Sequence, residues 1–160
     1  MHPSKSLQIL AQKHPIILHI ISSGSVELEN IPTRVIPWSL KDEQYNLRSI
    51  DIGIMPLYDN TYNRGKCGFK LLQYMALGIP SVSSPVGVNS QIINHGENGF
   101  LASSTTDWVK SIQVLIENRN LYEKIHKKSR QKVIESYSLK KYIPVFENIF
   151  KRFYSRISRK

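Results

Sequence analysis

The sequence predicts an α/β fold in which a mostly parallel sheet is flanked by helices. Short β-branched or apolar runs typical of buried strands recur along the chain, as at residues 16–21 and 51–57. Segments with the apolar period of a half-buried helix lie between them. Because strands that alternate with helices favour parallel pairing, the 160 residues are enough for about one domain of this kind.

The first part of the chain supplies two expected helices and three expected strands. A helix is predicted at residues 4–13 and ends before Pro15. The run at 16–21 suits a strand buried on both faces, and a turn follows at 22–25. The next elements are a strand at 34–36, a polar helix at 42–49, a strand at 51–57 and a loop at 58–63.

Most of the functional signal lies in one stretch, R-G-K-C-G-F-K-L-L-Q-Y-M-A-L-G-I-P-S-V-S-S-P. Gly65 and Gly68 stand directly before an apolar pattern that predicts a helix from Phe69. The first amides of a helix lack intrahelical partners and lie at the positive end of its dipole, so the N–H groups at Gly68 and Phe69 could receive a phosphate. Lys66 and Lys70 add positive charge there.

The same helix is expected to stop at Gly78, since Pro80 prevents its continuation. A short strand at 81–83 follows, and Gly87 belongs to the turn at its carboxyl end. Open α/β sheets bind their ligands beyond the carboxyl ends of their strands. We therefore expect the loop at Gly68 and the turn at Gly87 to meet in one crevice.

This stretch, together with the later I-I-N-H-G-E-N-G-F-L-A, resembles the glycosyltransferase family 4 type enzymes of the GT-B fold. Such enzymes move a sugar from a nucleotide-diphosphate donor. The resemblance implies a retaining reaction, a glycan or lipid-linked acceptor, and no cofactor or obligatory metal besides the nucleotide sugar. It also implies that the donor diphosphate is bound by Gly65, Lys66, Gly68, Phe69, Lys70 and Gly87.

The chain departs from the family at positions that commonly carry acidic residues around the opening of this helix. Two of these positions are occupied here by Gly65 and Gln73. A third departure is Gln91, which stands where a glutamate is common in the family. The resemblance places Gln73 beside the donor ribose, where its amide can hydrogen-bond hydroxyls. Trp38 has two interpretations, a contact with the nucleobase or a buried aromatic packing partner. No catalytic residue is assigned.

The resemblance also implies that a strand is missing. In the family this domain opens with a strand and a basic loop before its first helix, whereas residues 4–13 would already be that helix. In a Rossmann-like strand order the missing strand occupies the middle of the sheet, so its loss leaves two internal edges unpaired. We therefore expect residues 1–137 to be a partial, N-terminally truncated nucleotide-sugar-binding domain that works with a separate N-terminal domain.

The remaining elements of this domain lie beyond the expected crevice. A short helix is predicted at 88–94 and the final strand at 99–102. Thr105 or Thr106 is a candidate N-cap for the next helix, and a further helix passes through Ile125. These segments indicate a structural role for this part of the chain.

Residues 138–160 predict a C-terminal basic amphipathic helix. Its apolar stripe consists of Leu139, Ile143, Phe146, Phe150, Phe153 and Ile157. The lysines and arginines beside the stripe could contact anionic lipid headgroups at the inner face of the cell membrane. Alternatively, the stripe packs on the chain's own domain and the basic end is solvated.

Composition limits the classes of partner and location. The net charge of +10 favours an anionic partner, namely nucleotide phosphates, an acidic membrane surface or nucleic acid. Nucleic acid is not expected, because no recognisable binding motif accompanies the charge. The lone Cys67 allows no internal disulfide, suits a reducing cytoplasm and is interpreted as a small packed residue rather than a nucleophile. No apolar run reaches the ~20 residues of a membrane span, and the histidines show no metal-ligand spacing.

Two alternatives to a donor-binding domain remain open from the residues alone. The departures at Gly65 and Gln73 also suit a non-catalytic module, either a truncated remnant or one subunit of a split enzyme. A basic nucleic-acid-binding module is the third class, and it predicts steeply salt-dependent binding to DNA or RNA.

Overall fold

The computed structural model describes residues 3–24 and 28–157. In chain order the elements are α1 (Ser4–Ala11), β1 (Leu18–Ser22), β2 (Thr33–Pro37), α2 (Glu43–Arg48), β3 (Gly53–Met55), α3 (Thr61–Arg64), α4 (Phe69–Ala76), β4 (Ser81–Ser83), α5 (Asn89–Ile92), β5 (Phe100–Leu101), α6 (Thr105–Glu117), α7 (Arg119–Tyr137) and α8 (Leu139–Ile157). From β2 to β5 the strands are separated by short helices, and the long helices follow the last strand.

The strands form two parallel sheets. One pairs β1 with β2, in the register Leu18 to Thr33, and the other has the order β3-β4-β5. In the second sheet Val82 of β4 lies between Ile54 and Phe100. The parallel α/β architecture predicted from the sequence is confirmed. Among the described residues, β1 has β2 as its one strand neighbour and β3 has β4.

Helices cover both faces of the larger sheet. On one face the strands pack against α1, α6 and α7 in a core that includes Leu10, Val82, Trp108, Ile112 and Ile125. On the other face α4 and α5 pack in a second core made of Leu71, Met75, Ile92 and Ile93. This three-layer arrangement fixes the positions of the loops beyond the carboxyl ends of β3 and β4.

Several element boundaries differ from the sequence prediction. β1 is only half-buried along its length, whereas burial on both faces was expected, because one of its edges has no strand neighbour in the part of the chain described. The predicted loop at 58–63 contains the short helix α3. The N-cap of α6 is Ser104 rather than Thr105 or Thr106, since its hydroxyl accepts the hydrogen bond from the Asp107 amide. Of the turn predicted at 22–25, Ser25 lies outside the described residues.

Helix α8 extends from the domain with its apolar stripe exposed. It contacts α7, but the stripe's side chains from Leu139 to Phe153 do not enter either core. The expectation that the stripe packs on its own domain is therefore wrong. Five of its side chains are between 51% and 77% exposed: Leu139, Ile143, Phe146, Phe150 and Phe153. Within residues 3–24 and 28–157, no helix is both long and apolar enough to cross a membrane.

Candidate functional site

Two glycine-containing loops meet beyond the carboxyl ends of β3 and β4. Gly87, in the turn after β4, has a φ of +56°. A Cβ atom at Gly87 would lie 2.6 Å from the carbonyl oxygen of Arg64, which ends α3. Only glycine fits this backbone approach without strain. The two loops are thus in direct backbone contact, and the surface beside this contact, at the start of α4, is here called the crevice.

The start of α4 lines this crevice. Gly68 is its N-cap and has a left-handed φ of +69°. A Cβ atom at Gly68 would lie 2.5 Å from Cδ1 of Ile92, so α5 packs directly against this glycine. The amides of Phe69 and Lys70 occupy the first turn of α4, where the helix supplies no acceptor. This end of α4 has the polarity that an anion requires.

Buried amides hold the loops in place. Asn63 donates from Nδ2 to the Tyr58 carbonyl at 2.9 Å, and its own amide donates to the Asn60 side chain at 2.8 Å. Asn89 donates from Nδ2 to the Ser84 carbonyl at 3.1 Å. Sequence reasoning missed Asn63 and Asn89, because an isolated asparagine in a loop or a short helix does not indicate whether its side chain is buried.

Lys66 and its neighbours form the open side of the loop. The Lys66 ammonium lies 5.3 Å from the centroid of the Tyr62 ring, a cation–π contact on an exposed tyrosine. Gly65 has an ordinary φ of −80°, and a Cβ atom there would be no closer than 3.5 Å to its neighbours. The fold would therefore accept a side chain at Gly65. Cys67 is exposed, so the interpretation as a packed residue is wrong.

A second group of side chains gathers around Glu43, at the start of α2. Nζ of Lys70 donates to Oε1 of Glu43 at 3.1 Å, and Nε1 of Trp38 donates to the same oxygen at 3.3 Å. Nε2 of Gln73 donates to Oε2 of Glu43 at 3.1 Å. The hydrogen bond from Lys70, followed by the one from Trp38, lowers the pKa of the Glu43 carboxyl, which is therefore ionised at neutral pH.

The predicted site residues thus fall into two adjoining groups. Gly65, Lys66, Gly68, Phe69 and Gly87 line the loops, whereas Lys70, Gln73 and Trp38 surround Glu43. Lys70 joins the groups, since its amide lies in the first turn of α4 and its ammonium binds Glu43. Trp38 is 50% exposed, so its interpretation as a buried packing partner is wrong.

Glu43 itself was missed by the sequence analysis. The helix that carries it is polar, and an acidic residue in the first turn of a polar helix is usually explained by the helix dipole. Its partner Gln73 lies on α4, so only the tertiary fold brings the two together. Among the residues that the structure describes, no group of three histidine, cysteine or acidic side chains is arranged to hold a metal ion.

The parallel α/β fold is that of the C-terminal domain of a GT-B glycosyltransferase. Residues 4–118 match the family model described as Glycosyl transferases group 1, and the chain belongs to this family. A similar curated protein is an uncharacterized glycosyltransferase of Haemophilus influenzae, which is 31% identical over 156 residues. That alignment covers 91% of this chain and 43% of the relative, so the chain spans less than half of the relative's length.

Two solved structures share the fold. Sucrose-phosphate synthase from Thermosynechococcus elongatus superposes with a TM-score of 0.73 at 14% identity, over 96% of this chain and 43% of that one. A point mutant of S. aureus TarM, in complex with fondaparinux, alpha-GlcNAc-glycerol and UDP, gives a TM-score of 0.71 at 19% identity. It is matched over 92% of this chain and 31% of TarM. Both structures extend well beyond the region that this chain covers.

Proposed function

We propose that this chain binds the nucleotide-diphosphate sugar donor of a retaining glycosyltransferase, whose acceptor is a glycan or a lipid-linked sugar. The observation that carries the proposal is the crevice where the start of α4 meets the Gly87 turn, beside the ionised Glu43. Membership of the group 1 glycosyl transferases and the UDP named for the TarM crystal support this assignment.

The donor diphosphate would lie at the start of α4. The amides of Phe69 and Lys70 donate to its oxygens, and the Lys66 ammonium supplies countercharge from the open side. Gly68 and Gly87 keep the backbone close enough for this contact, since neither carries a Cβ atom that would occupy the crevice. Gly65 leaves additional space beside the sugar.

The nucleoside would lie toward α2. Each ribose hydroxyl is a hydrogen-bond donor, and the Glu43 carboxylate has lone pairs left for it beside its contacts with Lys70 and Gln73. The Gln73 amide is held by Glu43 and adds a second polar group at the ribose. The half-exposed ring of Trp38 offers an apolar face to the base.

The chemistry assigned to this half of the site is stabilisation of the leaving group. During transfer the bond between the anomeric carbon and the diphosphate oxygen breaks, and its electron pair leaves with the diphosphate. An acceptor hydroxyl forms the new bond to the anomeric carbon, and its proton passes to the departing diphosphate oxygen. Amides at the helix start and the Lys66 ammonium stabilise the negative charge that develops on the diphosphate.

Thermal unfolding of the purified chain with and without nucleotides tests the proposal. A ligand at 100 times its dissociation constant stabilises a protein by roughly 2.7 kcal/mol. We expect UDP, GDP or one of their sugar conjugates to raise the midpoint of a cooperative transition. A transition that none of these ligands shifts would contradict donor binding and favour the non-catalytic remnant.

We further propose that a separate N-terminal domain supplies the acceptor site. This domain belongs either to the same polypeptide or to the other subunit of a split enzyme. The greater length of similar proteins supports this proposal, since this chain spans 43% of its H. influenzae relative and 31% of TarM. Mixing the chain with the N-terminal half of that relative should restore sugar transfer if the split arrangement is right, whereas absence of transfer would count against it.

We also propose a functional division between residues 1–137 and 138–160, with α8 as a peripheral contact to the inner face of an anionic membrane. Lys140 and Lys151 lie beside its exposed stripe by the helical period, an arrangement that suits lipid headgroups beside an apolar interface. In flotation with phosphatidylglycerol vesicles, Phe150→Asp should abolish binding and Ile134→Asp on α7 should not. Equal binding by both variants would refute the contact.

A further inference from the structure

The net positive charge of the chain lies entirely in its last part. Residues 1–118 contain nine lysines and arginines and nine aspartates and glutamates, so their formal charges cancel. Residues 119–160 contain thirteen lysines and arginines but only three glutamates, and they carry the whole net charge of +10. The match to the family model ends at residue 118. The excess charge therefore belongs to a surface outside the matched region, and donor phosphates do not account for it.

Three lysines form a cationic surface on the outer side of α7. Lys124, Lys127 and Lys128 are exposed, and their spacing of three and four residues makes them neighbours on one face of the helix. Ile125 and Ser129 are fully buried and mark the inner side, which packs against the domain. The three exposed side chains are here called the α7 lysine face.

The α7 lysine face has no countercharge within the described part of the chain. None of its three lysines forms an ion pair among the residues that the structure describes. The nearby carboxylates have other partners, since Glu123 pairs with Arg119 and Glu135 accepts a hydrogen bond from Gln131. Like charges at this spacing slightly destabilise a helix, so the lysines do not serve the stability of α7. Their arrangement is complementary to an anionic partner.

The other side of α7 holds α4, the helix whose start lines the crevice. Nη1 of Arg130 donates to the Ala76 carbonyl, at the last residue of α4. A Cβ atom at Gly78 would lie 2.6 Å from Cε1 of His126, so this ring rests directly on the glycine that follows α4. One helix diameter, about 10 Å, therefore separates the α7 lysine face from α4. A partner on the lysine face lies close behind the crevice helix.

We propose that the α7 lysine face docks on an anionic lipid bilayer and holds α4 near the membrane surface, an inference that rests on the membrane contact proposed for α8. A bilayer fits better than a free polyanion, because the next helix, α8, exposes an apolar stripe that DNA or an acidic glycan cannot bury. In this arrangement α8 supplies apolar insertion and α7 adds attraction that depends on the charge of the lipid.

Flotation of the full chain with vesicles of phosphatidylcholine and phosphatidylglycerol tests this surface. The test variant combines Lys124→Gln, Lys127→Gln and Lys128→Gln. Each lysine close to an anionic bilayer contributes roughly a fivefold factor to partitioning, so this variant should bind at least tenfold more weakly than the wild type. On vesicles of phosphatidylcholine alone, or at high salt, the two proteins should bind equally, because the electrostatic attraction is then absent or screened.

The matched control removes the same charge from the rest of the chain. It combines Lys5→Gln, Lys13→Gln and Lys110→Gln, three exposed lysines of residues 1–118. Its binding to the anionic vesicles should stay within about twofold of the wild type. Equal losses in the two triple variants would show a general effect of net charge and would overturn the α7 assignment.

Further measurements separate this assignment from the functions proposed above. Wild-type binding by the α7 triple variant, with binding abolished by Phe150→Asp, would overturn the role of α7 and leave the α8 contact in place. A wild type that does not float with anionic vesicles would overturn both. If the α7 variant lost binding to heparin or single-stranded DNA but not to vesicles, the partner would be a polyanion and the bilayer assignment would be wrong. Nucleotide-induced shifts of the unfolding midpoint should be the same in all these proteins, so donor binding is judged independently.

Discussion

Glu43 and Gln73 lie on different helices, yet Nε2 of Gln73 donates to Oε2 of Glu43 at 3.1 Å. By the resemblance, Gln73 stands at a position that commonly carries an acidic residue. In this structure a carboxylate from α2 lies beside the Gln73 amide. This relationship makes Glu43 the natural candidate for the ribose contact that the resemblance assigned to position 73.

Replacing Glu43 by glutamine should weaken nucleotide binding strongly. The substitution keeps the size of the side chain but removes the charge that accepts from Lys70 and Trp38. Hydrogen bonds to charged groups contribute about 1.5–3 kcal/mol, so the dissociation constant for the nucleotide that binds should rise about 10- to 100-fold. Isothermal titration calorimetry with that nucleotide measures the change.

The matched control for this substitution is Glu135→Gln. Glu135 is an exposed residue of α7 whose carboxylate accepts from Gln131, and it lies away from the crevice. Glu135→Gln changes the net charge by the same amount as Glu43→Gln. Its effect on the dissociation constant therefore measures long-range electrostatics without the contacts that Glu43 makes. If both variants bound nucleotide as the wild type does, Glu43 would have no place in the ribose site.

Lys66 should contribute to diphosphate binding rather than to folding. Its ammonium makes a cation–π contact with the exposed Tyr62, so Lys66→Ala should leave the unfolding midpoint without ligand nearly unchanged. The dissociation constant of a nucleoside diphosphate should rise at least tenfold, and that of the nucleoside alone should not change. Lys110→Ala, an exposed lysine on α6, is the control for charge. An unchanged diphosphate affinity in the Lys66 variant would contradict a role for Lys66 in diphosphate binding.

Much of the fold could be predicted from the sequence because its signals are local. Glycine at 68 and 78 and proline at 80 marked both ends of α4, and both glycines have the positive φ that these positions require. The apolar runs predicted the strands, and parallel pairing of β3, β4 and β5 followed from the helices between them. Such signals depend on neighbouring residues, which the sequence displays directly.

The composition of the candidate site was predictable only in part. The glycines around the crevice follow from backbone geometry at each position, so they could be found one by one. Glu43 could not, because its role comes from a contact with Gln73 across a 30-residue separation in the chain. Of the two interpretations of the α8 stripe, packing on the chain's own domain was wrong, since periodicity shows that a face is apolar but not what it touches.

Helix α6 should lose its N-terminal stabilisation in acid. Ser104 and Asp107 form a capping box, and the hydrogen bonds from Ser104 and then Ser103 lower the pKa of Asp107 from 3.8 to about 2. Because the folded value is depressed, the stabilisation is complete above the usual pKa and disappears as the pH falls through about 2. Ser104→Ala should therefore cost about 1 kcal/mol at pH 7 and progressively less between about pH 4 and pH 2.

Urea unfolding at several pH values measures this dependence. Ser155→Ala provides the control, since Ser155 is an exposed serine of α8 whose hydroxyl donates to the Arg152 carbonyl. Its effect should be small and independent of pH. If the loss in free energy of unfolding caused by Ser104→Ala stayed constant down to about pH 2, the Asp107 charge would take no part in the cap.

Gly87→Ala should disrupt both the stability and the ligand binding of the crevice. A left-handed conformation costs an L-residue roughly 1–2 kcal/mol, and at Gly87 the added Cβ would also lie 2.6 Å from the Arg64 carbonyl oxygen. Gly96 separates these two effects, because its φ is +78° but nothing lies within 4 Å of a Cβ atom there. Gly96→Ala should therefore show the conformational cost alone.

In urea unfolding the Gly87 variant should lose more stability than the Gly96 variant. Only the Gly87 variant should lose nucleotide affinity, because relief of the clash moves the turn away from α3. Equal losses of stability with intact nucleotide binding would mean that the close approach of these two loops has no part in donor recognition.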